Sequence, residues 1–67
     1  MLDYQSMIKD YEKDAENVQK TIDKLKAKLK KKGVNREELN SLINSYELVH
    51  SELIGSINVM REKFKNL

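Results

Sequence analysis

The stretch Lys30-Lys31-Lys32-Gly33-Val34-Asn35-Arg36-Glu37-Glu38-Leu39 decides the fold. Gly33 suits the left-handed conformation that closes a helix at its C′ position. Asn35 is a strong N-cap, and Glu38 follows three residues later, as a capping box requires. Val34 before the cap and Leu39 at the fourth helical position have the spacing of a hydrophobic staple. Lys28, Lys30, Lys31 and Lys32 complement the negative dipole end of a preceding helix. These signals place a helix stop directly before a helix start. They predict two helices, over about 3–32 and 36–66, joined by a turn at 33–35, in a single domain spanning 1–67.

Upstream of the turn, Tyr4, Ile8, Tyr11, Ala15, Val18, Ile22, Leu25 and Leu29 recur at alternating steps of four and three. Downstream, Leu39, Ile43, Tyr46, His50, Leu53, Ile57, Met60, Phe64 and Leu67 repeat the alternation. Such spacing is a coiled-coil seam. Folding the chain back at Gly33 sets Leu29 against Leu39, Leu25 against Ile43, Ala15 against Leu53 and Ile8 against Met60. Every seam residue then meets another. The expected fold is all-α: an antiparallel two-helix coiled-coil hairpin, on the order of 45 Å long at 1.5 Å per residue. Charge agrees with the pairing. Residues 1–16 carry five acids against two lysines, net −3, and residues 57–67 carry three bases against one acid, net +2. Antiparallel folding sets these ends side by side.

The composition excludes other classes. Among 67 residues there is no Cys, no Pro and only two Gly. A disulfide framework, a thiolate metal site, a Gly-rich phosphate loop and a many-stranded β fold are therefore all unavailable. No apolar run approaches the roughly 18 residues that cross a bilayer, and MLDYQSMIKDYEK lacks a signal-peptide core, so a cytoplasmic setting is expected.

A hairpin this short gains about as much from apolar burial as it loses in ordering entropy, so assembly is expected. The second helix supplies the means. Leu42 and Val49 lie one step off the seam on one flank, and Leu48, Ile54 and Val59 lie elsewhere around the helix. Exposed apolar patches mark interfaces. Leu42, Val49, Ile54 and Leu48 are thus the expected partner-binding residues. The partner is a second copy closing a four-helix bundle as a homodimer, or a helical protein partner. The resulting function is non-enzymatic protein–protein interaction, as an adaptor, co-chaperone or small regulator.

Other chemistry has weaker footing. Glu47-Leu48-Val49-His50 has the Glu-x-x-His spacing of di-metal bundles, but the first helix puts no carboxylate on its seam, so no metal and no cofactor are expected. His50 reads instead as a polar residue that sets register within the seam, with a pH-sensitive contact as its alternative role. Gly55 reads either as a tolerated cost within a helix or as a point of close helix approach. Residues 19–33 hold seven lysines and one Asp, net +6, and Lys20, Lys24, Lys28 and Lys31 follow one side of the helix. Such a stripe contacts phosphates in nucleic-acid-binding bundles, which makes nucleic-acid binding the alternative function. No stacking aromatic stands near it. No nucleophile–base pair is placed by a motif, so no enzyme and no catalytic residue are expected.

Two resemblances add expectations. The segment Glu38-Leu39-Asn40-Ser41-Leu42-Ile43-Asn44-Ser45-Tyr46 resembles the second-helix signature of the small aspartyl-phosphate phosphatases of the sporulation phosphorelay, which are bacterial helical hairpins acting on a phosphorylated response regulator. Asn40 stands where that family carries its functional Asp, and Arg36 where it carries a Ser. The resemblance implies at most a degenerate relative. The overall layout, a cysteine-free hairpin with a wide second helix, is similar to small co-chaperones of type III secretion needle subunits, which implies a heterodimer with a helical-repeat chaperone.

Overall fold

In the computed structural model, which describes residues 3–65, the chain is an antiparallel hairpin of α1 (Tyr4–Lys28) and α2 (Arg36–Lys65). It extends 53 × 15 × 14 Å. The heptad spacing is the cause. Among the described residues all of the buried hydrophobic side chains, Ile8, Ala15, Ile22, Leu25, Ile43, Ile57 and Met60, are seam positions. They form two clusters. Ile8, Ala15, Ile57 and Met60 pack with Met7, Tyr11 and Leu53 near the open end. Ile22, Leu25 and Ile43 pack with Val18, Leu29 and Leu39 near the turn. Each cluster joins residues that antiparallel folding about Gly33 sets opposite one another, Ile8 with Met60 and Leu25 with Ile43 among them.

Asp3 starts α1 as its N-cap. Its Oδ1 accepts from the Gln5 and Ser6 amides at 3.1 and 3.4 Å, and its Oδ2 from the Ser6 hydroxyl at 2.9 Å. At α2 the Glu38 amide donates to Asn35 Oδ1 at 3.1 Å, and the Leu39 amide to the Asn35 carbonyl at 3.1 Å. Of the two bonds of a capping box, the described residues therefore show the one made by the cap side chain.

The first helix is shorter than its spacing predicts, ending at Lys28 and not at 32. Leu29 caps it while keeping its seam position. The Lys30 amide then donates to the Ala27 carbonyl and the Lys31 amide to the Lys28 carbonyl, at 3.2 and 3.1 Å. These are tighter, three-residue bonds of the kind that finish many helices. Leaving α1 at Lys28 gives the crossing to α2 the seven residues from Leu29 to Asn35. The dense lysines also gain nothing from a further α-helical turn, which would stack like charges. Gly33 has φ +80°, the left-handed region expected of it, but it lies within the turn and not next to the helix end.

Two seam positions are more exposed than the pattern implies. Tyr46 sits on the seam edge, between the two clusters, and Phe64 lies opposite the first residue of α1, which leaves it little cover. Leu67, the last expected seam position, lies outside the described residues.

Candidate functional site

Around α2, successive residues advance by about 100°. Val49 and Ile54 are thus about 140° apart, on opposite flanks of the seam. The grooves between the helices follow the same division. On the Ile54 flank, His50, Ile57, Asn58 and Arg61 line a shallow groove with Glu12, Ala15, Glu16 and Gln19 of α1. It is a mixed surface. Arg61 Nη2 donates to Glu12 Oε2 at 2.7 Å across it, and Glu16 Oε1 forms an ion pair with Lys20 Nζ at 3.4 Å beside it. On the opposite flank, Val59, Met60, Ser56 and Glu52 line a groove with Met7 and Tyr11. Leu42 and Val49 belong to this second side, fourteen and seven residues before Ser56. Toward the turn, Leu42 continues the surface with Val34, Leu39 and Lys28.

All four expected partner-binding residues reach the surface: Leu42, Val49 and Ile54 are 42%, 44% and 40% exposed, and Leu48 is 62% exposed. The hairpin does not bring them together. Leu42 and Val49 share one face with Val59 and the edge of Tyr46, all exposed. Leu48 points away from α1, and Ile54 lies in the groove with His50 and Arg61. The Val49 face also includes three residues of the seam and of α1: Met7, Tyr11 and Met60. Sequence spacing gave no weight to Met7 as part of an apolar surface, because on α1 alone it is an isolated side chain. Its continuity with Val59 exists only once the helices are paired.

His50 is half-buried on the seam between Tyr46 and Leu53 and borders the groove that Ala15 and Ile57 also line. No buried side-chain nitrogen or oxygen lacks a partner among the described residues. Among those residues, too, no group of three or more His, Cys, Asp or Glu side chains is placed to hold a metal ion. A Cβ built on Gly55 meets nothing within 4 Å, so no neighbour in the hairpin requires a glycine there.

The lysine stripe is interrupted. Lys20 is engaged by Glu16, Lys24 and Lys28 are exposed on α1, and Lys31 lies in the turn beyond the helix. No helix among the described residues is long and apolar enough to cross a membrane. Comparison with protein-family models, curated proteins and solved structures returns no match.

Proposed function

We propose that this chain is a protein-interaction module whose working surface is the face formed by Leu42, Val49 and Val59 with Met7 and Tyr11. The observation that carries this reading is that exposed Leu42, Val49 and Val59 of α2 adjoin half-buried Met7 and Tyr11 of α1 on one side of a hairpin whose seam is already filled, while Leu48 and Ile54 stand apart from them. A helix face left apolar after its partner helix has packed stays in water at a cost of about 25 cal/mol per Å² of apolar surface, and covering it recovers that cost. The opposite flank carries an ion pair and somewhat less apolar surface to cover. The chemistry on the surface suits an adaptor, co-chaperone or regulator that acts by contact.

The test is the double substitution Leu42→Glu with Val49→Glu. Both residues are exposed, so helicity by circular dichroism is expected to stay near the wild-type value, while assembly and retention of partners from the native extract are lost. A double variant that keeps both the mass and the retained partners of the wild type overturns the assignment of this face.

A further inference from the structure

We infer that the occupant of this face is a second copy of the chain, docked antiparallel by a two-fold axis that passes at the level of Asn17 and Ser51. The inference rests on the contact reading above and adds to it the partner and its orientation.

Three observations carry it. The first is area. The chain exposes 5550 Å², whereas a compact monomer of 7.9 kDa would expose about 4,400 Å². The excess is on the order of what one partner contributes to a standard interface, about 800 Å². A face 53 Å long and 15 Å wide has the same size.

The second is charge. The turn half of the hairpin, residues 18–50, carries eight bases against four acids, net +4. The open half, residues 3–17 and 51–65, carries five bases against seven acids, net −2. Docking the copies with their turns together would stack two +4 halves. Docking them head to tail sets each +4 half on a −2 half, and does so twice.

The third is register. A two-fold axis lying in the interface, perpendicular to the helices, places α1 over α1 and α2 over α2 of the second copy, each pair antiparallel. With that axis midway along α2, Leu42 of one copy reaches the level of Val59 and Met60 of the other, and Val49 lies near the axis beside Leu53. On α1 the same operation brings Lys24 to the level of Asp10. Neither of these two has an ion-pair partner in its own hairpin among the described residues. Asp14 and Glu52 border the apolar strip as part of a polar rim, as interfaces commonly have. One placement therefore brings together apolar residues of the two α2 helices and opposite charges of the two α1 helices, and the product is an all-antiparallel four-helix bundle.

The experiment uses the full chain, in which the absence of cysteine makes single-cysteine variants unambiguous. Sedimentation equilibrium is expected to give twice the 7.9 kDa chain mass. Asn17→Cys, an exposed position at the axis, is expected to form a self-disulfide in a glutathione buffer, and Lys24→Cys, placed away from the axis, is not. Circular dichroism checks that both variants keep the wild-type helicity. A dimer in which Lys24→Cys self-links and Asn17→Cys does not overturns the orientation, while leaving the contact surface in place. A monomeric mass at several hundred micromolar overturns the second copy as occupant. In that event, the contact reading stands only if Leu42→Glu with Val49→Glu abolishes retention of a different protein, so the two failures are separable.

Discussion

Arg61 Nη2 and Glu12 Oε2 stand 2.7 Å apart and join α2 to α1, the one ion pair between the helices among the described residues. It realises locally the complementarity of an acidic first segment and a basic last one. Both side chains are about half exposed, so the solvent screens the pair and its contribution is small, about 0.2–1 kcal/mol. Glu12→Gln is expected to lower the melting temperature by a few degrees at low ionic strength. In 1 M salt, where the Debye length falls to about 3 Å, the difference between variant and wild type should largely vanish. A loss that persists undiminished in high salt would mean that Glu12 acts through packing and not through charge.

The two glycines are expected to respond to alanine with opposite signs. Gly33 has φ +80°, where a Cβ costs roughly 1–2 kcal/mol. Gly33→Ala should therefore destabilise, and Gly33→Asn should destabilise less. Gly55 lies within α2 with open space around its missing Cβ, and Gly55→Ala should stabilise by about 1 kcal/mol. For a domain of this size that is a rise of about 4–8 °C in melting temperature. Thermal melts at matched protein concentration compare the variants, since an assembling protein melts at a concentration-dependent temperature. A destabilised Gly55→Ala would reveal a close approach at that point from outside the hairpin.

How far the fold was legible follows from these same residues. The four-and-three spacing alone picks out every buried hydrophobic side chain from Ile8 to Met60, because an antiparallel hairpin has one interface and the seam is its only interior. Asn35 and Gly33 were legible because their roles are local. Asp3 as a cap was not, since no Glu or Gln stands three residues later to complete a capping box and no turn signal precedes it. The end of α1 was misplaced because the lysines that favour a helix end do not say where the chain must leave to cross to α2. The candidate face was legible by half. Leu42 and Val49 are visible as seam neighbours in one helix, but the addition of Met7 and Tyr11, and the separation of Ile54 onto the other flank, depend on which sides of two paired helices adjoin.

Hydrogen bonds from Ser6 and Gln5 hold the Asp3 carboxyl below the ordinary aspartate range, the Ser6 hydroxyl contributing most. A carboxyl whose pKa is depressed in the folded state contributes stability that is complete above its unfolded pKa, and loses it as pH falls through the folded value. The first turn of α1 is therefore expected to fray in acid below the usual aspartate range, with α2 unaffected at the same pH. Amide chemical shifts of Gln5 and Ser6 followed by nuclear magnetic resonance report it directly. Asp3→Asn keeps a capping oxygen and should remove the pH dependence of those two signals. If the signals still move at the same pH in the variant, a different group controls the first turn.

His50 sits at the break between the cluster of Ile8, Ala15, Ile57 and Met60 and the cluster of Ile22, Leu25 and Ile43, at the level of Val18. A half-buried imidazole there covers seam surface with a polar ring in place of an apolar side chain. A leucine at the same position would join the two clusters, and its partial burial is worth about 1 kcal/mol, since full burial of such a side chain gives roughly 1.5–3 kcal/mol. His50→Leu is therefore expected to raise the melting temperature at pH 7 by several degrees. It is also expected to loosen the specificity that a single polar seam residue imposes on register and assembly state. The first effect is read by thermal melts at matched concentration and the second by sedimentation, where species other than the wild-type one should appear. A melting temperature equal to or below the wild-type value would show that the imidazole is held by interactions worth more than the apolar contact that replaces it.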